Sequence, residues 1–193
     1  MLSLFGKVSG DKWISDNVRF YRSLGFFADL GKMSEKQLTE QIKKRMSKDA
    51  GPTSSCDGLD VILIDTKRVW KHDRVDFDRD TNFFIRAMDQ WATISRGILR
   101  PLKVTVTRNY NESDRTLIQF QQDSMLYSMF VSLNGPNWLD NAVFDQLNQI
   151  FADSGFRFEV AEVDSEARVA MVLTPNEKAK LVKERNWRFV MPG

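Results

Sequence analysis

The order of the sequence patterns predicts an α+β protein, with a mainly antiparallel or mixed sheet, helices packed on it and an N-terminal helical section. First, 42% of the 193 residues are hydrophobic and 11% are aromatic, which is enough to build a core. Second, short strand patterns alternate with amphipathic helix patterns after residue 58. Third, tight turns join successive strand patterns, which favours antiparallel pairing and hence α+β.

The N-terminal section predicts two helices. The first covers about 15–29. The second begins at Ser34, because Gln37 follows three residues later in the pattern of a capping box. Behind that cap, apolar side chains recur every fourth residue along one stripe: Leu38, Ile42 and Met46.

Small residues, glycine and proline concentrate over 51–58, which predicts a linker or loop. We therefore predict a helical section over 1–50, this linker, and an α+β domain over 59–193. A single continuous domain over 1–193 is the alternative.

The α+β section begins with a β-branched apolar run over 59–65, which predicts a buried strand. A charged connector over 67–80 and a helix over 81–98 follow. Alternating residues over 102–107 and 116–120, followed by a third strand pattern over 125–133, then predict an antiparallel meander, and we expect all strands to form one sheet.

The last sixty residues carry the clearest start and stop signals. Asn137 is placed to cap a helix that ends near Gly155. Strands are predicted over 156–163 and 167–173. Thr174, Pro175 and Glu177 form the start of a short helix that ends near Arg185, and a final strand is predicted over 186–191.

The scarcity of histidine and cysteine restricts the chemistry. A structural zinc site takes four Cys or His ligands, so His72 and Cys56 alone cannot build one within the chain. A Ser-His-Asp triad would depend on His72 alone. No P-loop and no Gly-x-Gly-x-x-Gly occurs, so we expect no small-molecule cofactor and no metal.

The single Cys56 favours a reducing compartment, and we expect a cytoplasmic protein. The N-terminal residues form no apolar stretch of signal-peptide length, and the longest apolar runs are far shorter than a membrane span. Contact with a membrane is therefore not expected.

The leading functional hypothesis is a non-enzymatic binding protein of the adaptor, assembly or toxin-neutralising type, whose partner is a protein. The first 110 residues carry an excess of Lys and Arg, whereas the remainder carries an excess of Asp and Glu. Because aromatic side chains dominate binding hot spots, we expect an exposed subset of the tryptophans to contact the partner. The candidates are Trp13, Trp70, Trp138 and Trp187, of which Trp70 and Trp187 are preferred.

A metal-dependent hydrolase acting on phosphodiesters is the first alternative. Asp65 and Lys67 would end the strand over 59–65, where the acid would bind Mg²⁺ and the lysine would polarise the attacking water. Asp60 is the nearest further acid, although on a strand it would point to the opposite face from Asp65.

Nucleic-acid binding through the basic helix over 36–48 is the second alternative, with Lys43, Lys44 and Arg45 meeting phosphates. The acidic segment over 73–80 has the opening spacing of a calcium loop. However, Thr81 and Ala87 occupy the positions where that loop needs Gly and Glu, so we interpret it as a charged surface loop.

Overall fold

The computed structural model describes residues 10–46, 58–73, 82–108, 115–134, 138–139, 141–162 and 167–190. In these residues the chain has the predicted α+β fold, with an N-terminal helical section. The expectation of one sheet is wrong, because the strands fall into two antiparallel sheets of four strands each.

The helices, besides a 3₁₀ helix over Ala28–Leu30, are α1 (Gly10–Ser23), α2 (Glu35–Arg45), α3 (Leu59–Ile62), α4 (Phe83–Ile94), α5 (Ala142–Ile150) and α6 (Pro175–Arg185). The strands are β1 (Val69–Asp73), β2 (Leu102–Arg108), β3 (Arg115–Gln122), β4 (Met125–Asn134), β5 (Trp138–Leu139), β6 (Arg157–Glu162), β7 (Ala167–Leu173) and β8 (Phe189–Val190).

The first helix is displaced from the predicted 15–29. It ends at Ser23 because the backbone becomes left-handed at Gly25 (φ 76°) and again at Phe27 (φ 60°). The capping box of α2 is confirmed: the Ser34 hydroxyl accepts from the Gln37 amide, and the Gln37 side chain accepts from the Ser34 amide.

The strand predicted over 59–65 is wrong, because this run forms the single helical turn α3. Short apolar runs fit a buried strand and a buried helical turn equally well. Here Gly58 starts the turn with φ 76° and lies so close to α1 that a Cβ would stand 2.3 Å from Asn17 Oδ1. The connector predicted over 67–80 also contains β1, which the charged sequence had concealed.

The C-terminal elements largely confirm the sequence prediction, including the capping box between Thr174 and Glu177. The predicted cap at Asn137 is wrong. The helix α5 begins after Asn141, because Trp138 and Leu139 form a short strand that pairs with the end of β4.

One sheet, which we call the inner sheet, has the order β1-β7-β6-β8 and is buried on both faces. Val169 and Met171 on β7 face a core built with α1, α2, α3 and α6. Ala170 and Val172 face a second core built with α4, α5 and the other sheet. This alternation follows from the two-residue period of a strand.

The other sheet, which we call the outer sheet, has the order β2-β3-β4-β5. Its inward side chains, such as Ile118, Phe120, Met129 and Val131, belong to the second core. Its opposite face is not covered by any other described element. In the described ranges, none of the helices has both the length and the apolarity needed to cross a bilayer.

Candidate functional site

The acid and the lysine of the hydrolase alternative, Asp65 and Lys67, are each bound by groups of neighbouring elements. The Asp65 carboxylate is 9% exposed and accepts the Phe27 amide at 2.5 Å and the Lys67 amide. Burial raises the pKa of Asp65, and the two amide hydrogen bonds oppose that rise. Asp65 therefore fixes the left-handed backbone at Phe27.

Lys67 turns away from this carboxylate, since its Nζ pairs with Asp29 at 2.7 Å on the surface. The hydrogen bond to Asp29 raises the pKa of Lys67. Asp60 lies in α3, where burial raises the pKa of its carboxyl group against the opposing charge of Lys71. In the part of the chain that the structure describes, no three His, Cys, Asp or Glu side chains are grouped as a metal site would require.

The basic helix is partly neutralised. α2 buries Leu38 and Ile42, and Lys43 pairs with Asp11 of α1 at 2.6 Å. Lys44 and Arg45 are exposed.

The tryptophans selected as contact residues point inward. Trp187 is 1% exposed, and its indole N–H donates to the Tyr21 hydroxyl at 3.0 Å, so the expectation that it lies at a binding surface is wrong. Trp70 is half-buried, with its ring centroid 5.5 Å from that of Trp91. Trp13 is also buried. The large apolar area of these rings favours burial in the protein's own core.

Several predicted features fall outside the described residues. They are Lys48, Cys56, residues 74–80 of the acidic segment, and the side chains of His72, Asp73 and Trp138.

The outer sheet exposes the most accessible large apolar side chains of the described chain. These are Leu102 (64%), Leu126 (63%), Met125 (61%) and Phe130 (57%). Strand register arranges the outward-facing residues in three rows: Leu102, Gln121, Leu126; Thr105, Gln119, Ser128; and Thr107, Leu117, Phe130. These nine side chains, which we call the outer face, include no charged residue. The backbone of Arg115 pairs with that of Ser132 beyond the last row.

A tight hairpin turn sets this register. Asp123 (φ 49°) and Ser124 (φ 66°) are both left-handed, as a two-residue type I′ turn requires. The turn pairs Gln122 with Met125 and thereby places Met129 inward and Phe130 outward along β4. A shift by one residue would exchange the two faces.

The same register leaves part of the β4 edge unpaired. The peptide groups of Leu126, Ser128 and Phe130 point away from β3, because hydrogen-bonded and non-hydrogen-bonded pairs alternate in an antiparallel ladder. The Phe130 amide donates to the Gln146 side chain of α5 at 3.0 Å, and that side chain donates to the Phe130 carbonyl at 2.9 Å. In the described structure, the peptide groups of Leu126 and Ser128 have no hydrogen-bond partner, and we call these groups the open edge.

A groove of about 250 Å³ lies beside the open edge, between β4 and α5. Its lining combines apolar and neutral polar side chains: Tyr127, Ser128, Met129, Gln146, Gln149 and Ile150.

A larger groove of about 640 Å³ lies between β6 and α6, with a mixed-charge rim. Lys178 in that rim is paired with Glu159 at 2.6 Å, and Val182 is 47% exposed. Here the neighbouring strand edge is closed, since Asn148 accepts the Phe158 amide at 2.7 Å and donates to its carbonyl at 3.2 Å.

Sequence reasoning missed the outer face, although its signal is present. Residues 125–131 form an almost continuous apolar run. A strand with one buried face needs only every second residue to be apolar, so such a run at the edge of a meander indicates apolar side chains on both faces.

Comparison of the chain with protein-family models, with curated proteins and with solved structures gave no match.

Proposed function

We propose that this chain is a non-enzymatic binding protein that recognises another protein through the outer face. The observation that carries the proposal is the exposure of Leu102, Leu126 and Phe130 on the outer face, whose nine side chains are all uncharged. Exposed apolar patches bounded by polar residues are typical of protein interaction sites. Burial of each such side chain contributes roughly 1.5–3 kcal/mol.

The chemistry of the outer face favours a protein over a nucleic acid. Phosphate backbones are bound by Lys and Arg, whereas the described outer-face side chains are Leu, Phe, Thr, Ser and Gln. On the basic helix, Lys43 already has Asp11 as its partner, which weakens the support for that alternative.

The hydrolase alternative also has less support. Asp65 holds the turn at Phe27, and Lys67 binds Asp29. An adaptor or an assembly factor, working in the cytoplasm as the single Cys56 suggests, fits the outer face better.

Photo-cross-linking tests this proposal in the native cell. Phe130 is replaced by the photoreactive analogue p-benzoylphenylalanine, and Val182 carries the same replacement in a control. We expect one discrete protein adduct from position 130, and its yield should fall at least about tenfold when Leu102→Thr and Leu126→Thr are added, because the apolar contact is lost.

The control position reports labelling by chance collision, since Val182 is also apolar and exposed but lies on α6. Equal adducts from both positions, or no adduct from position 130, would contradict a binding role for the outer face.

A further inference from the structure

We propose that an extended segment of the partner protein adds to β4 as a further strand at the open edge, in the groove beside α5. This inference rests on the proposed function and specifies how the partner binds. It is carried by the peptide groups of Leu126 and Ser128, which have no hydrogen-bond partner among the described residues and lie beside the groove.

The open edge matches an extended polypeptide in particular. Its N–H and C=O groups repeat about every 6.8 Å along the strand, which is the spacing of alternate residues in another strand. Strand addition of this kind takes its affinity from main-chain hydrogen bonds and its specificity from alternate side chains.

This edge lacks the usual protection against pairing. Exposed strand edges generally carry Lys, Pro or an inward-pointing charge, yet residues 125–131 contain none of these. The equivalent edge of β6 is closed by Asn148 at Phe158 and by β8 at Val160 and Ala161.

The edge of β4 already accepts partners at its other end. β5 pairs with Leu133 and Asn134, and the side-chain amide of Gln146 forms hydrogen bonds with both peptide groups of Phe130. Gln146 therefore marks one end of the open edge, and the hairpin turn after Gln122 marks the other. This length suits a short segment.

The position of α5 favours a narrow peptide over a second copy of this chain. The Gln146 side chain reaches the β4 edge from α5, so the helix flanks the path of an added strand. Symmetric pairing of two β4 strands would bring a second α5 to the same place. An isolated extended segment has no such helix.

The surroundings also define the segment. Its outward side chains would extend the outer face beside Leu126 and Phe130, where apolar residues fit. Its inward side chains would face the groove near Gln146, Gln149 and Ile150, where small or neutral polar residues fit.

A phage library of random dodecapeptides, selected on the immobilised full chain, supplies the probe. Peptides with alternating apolar residues should be enriched. Ser128→Pro removes the N–H that points away from β3 and leaves the hydrogen bonds between β3 and β4 intact, so it should weaken peptide binding at least about tenfold. Ser128→Ala keeps this N–H, and this variant should bind the peptide like the parent chain.

The peptide itself gives a second readout that does not depend on how well the proline variant folds. N-methylation of residues whose amides face β4 should abolish binding, and N-methylation of the intervening residues should not. On binding, the amide hydrogens of Leu126 and Ser128 should change from rapid to slow exchange in NMR spectra.

The outcomes separate the two proposals. Failure to enrich peptides, equal binding by the Pro and Ala variants, or continued rapid exchange would overturn strand addition. So would a dimer in sedimentation that dissociates with Ser128→Pro. If position 130 still cross-links to a discrete protein in any of these cases, the proposed function stands while this mode of binding fails.

Discussion

The inner and outer sheets are both antiparallel and four-stranded, yet they differ in what covers them. The inner sheet has helices on one face and helices with the outer sheet on the other. The outer sheet is buried on one face and exposes Leu102, Leu126 and Phe130 on the other. An antiparallel sheet is stable with one face in water, so its apolar outward side chains invite a functional explanation.

Two phenylalanines show the difference at the scale of one residue. Phe158 on β6 and Phe130 on β4 each have both peptide groups bound by an amide side chain of α5. Phe158 is 2% exposed, whereas Phe130 is 57% exposed. The same pattern of backbone hydrogen bonds therefore occurs at a buried side chain and at an exposed one.

The largest expected effect comes from removing these rings in turn. Phe158→Ala should lower the free energy of unfolding by about 3–5 kcal/mol, because a buried ring is lost and a cavity remains. Phe130→Ala should change it by no more than about 0.5 kcal/mol, as is usual for surface substitutions. Urea unfolding measures both variants, and similar losses would show that the outer face is covered within the chain.

A smaller effect should follow from removing the two α5 amides. Asn148→Ala leaves the buried peptide groups of Phe158 unpaired and should lower the free energy of unfolding by about 2 kcal/mol. Gln146→Ala should lower it by less than about 1 kcal/mol, because water can replace the Gln146 side chain at the exposed Phe130. Urea unfolding of Asn148→Ala and Gln146→Ala checks the order. A larger loss from Gln146→Ala would mean that the β4 edge is closed to solvent.

The smallest expected effect is the pH dependence of stability that comes from Asp65, just before β1 of the inner sheet. Burial raises the pKa of Asp65 above its ordinary value of 3.8, so the folded chain binds this proton more tightly than the unfolded chain does. Ionised Asp65 therefore costs stability at neutral pH. Relative to Asp65→Asn, the parent chain should gain stability as pH falls through the raised pKa, with no further gain below 3.8.

Urea unfolding of both chains between neutral pH and pH 3 measures this difference. A parent chain that instead loses stability relative to Asp65→Asn on acidification would show that the Phe27 and Lys67 amide bonds outweigh burial.

Local signals predicted the helix starts well. Ser34 with Gln37 and Thr174 with Glu177 form the expected capping boxes, because these bonds join residues only three apart. The meander was also predictable, from alternation over β2 and β3 and from the apolar run of β4. The run over 59–65 was not, since its helical turn depends on contact between Gly58 and Asn17 of α1.

Sequence reasoning did not anticipate hydrogen-bond partners that are distant in the chain. Asp65 looked free at a strand end, but its partner Phe27 is 38 positions away. Trp187 looked suited to a binding surface, but Tyr21, 166 positions away, accepts its indole N–H. Neither contact leaves a local pattern, and both decide whether a side chain reaches solvent.

By itself, the sequence determined the α+β class, the two capping boxes and the hairpins, because capping and alternation act over a few residues. The tertiary structure alone decided the division into two sheets, the burial of Trp187 and the open edge beside Gln146. Those features depend on which elements pack together, and the free energy of packing comes from contacts between segments far apart in the chain.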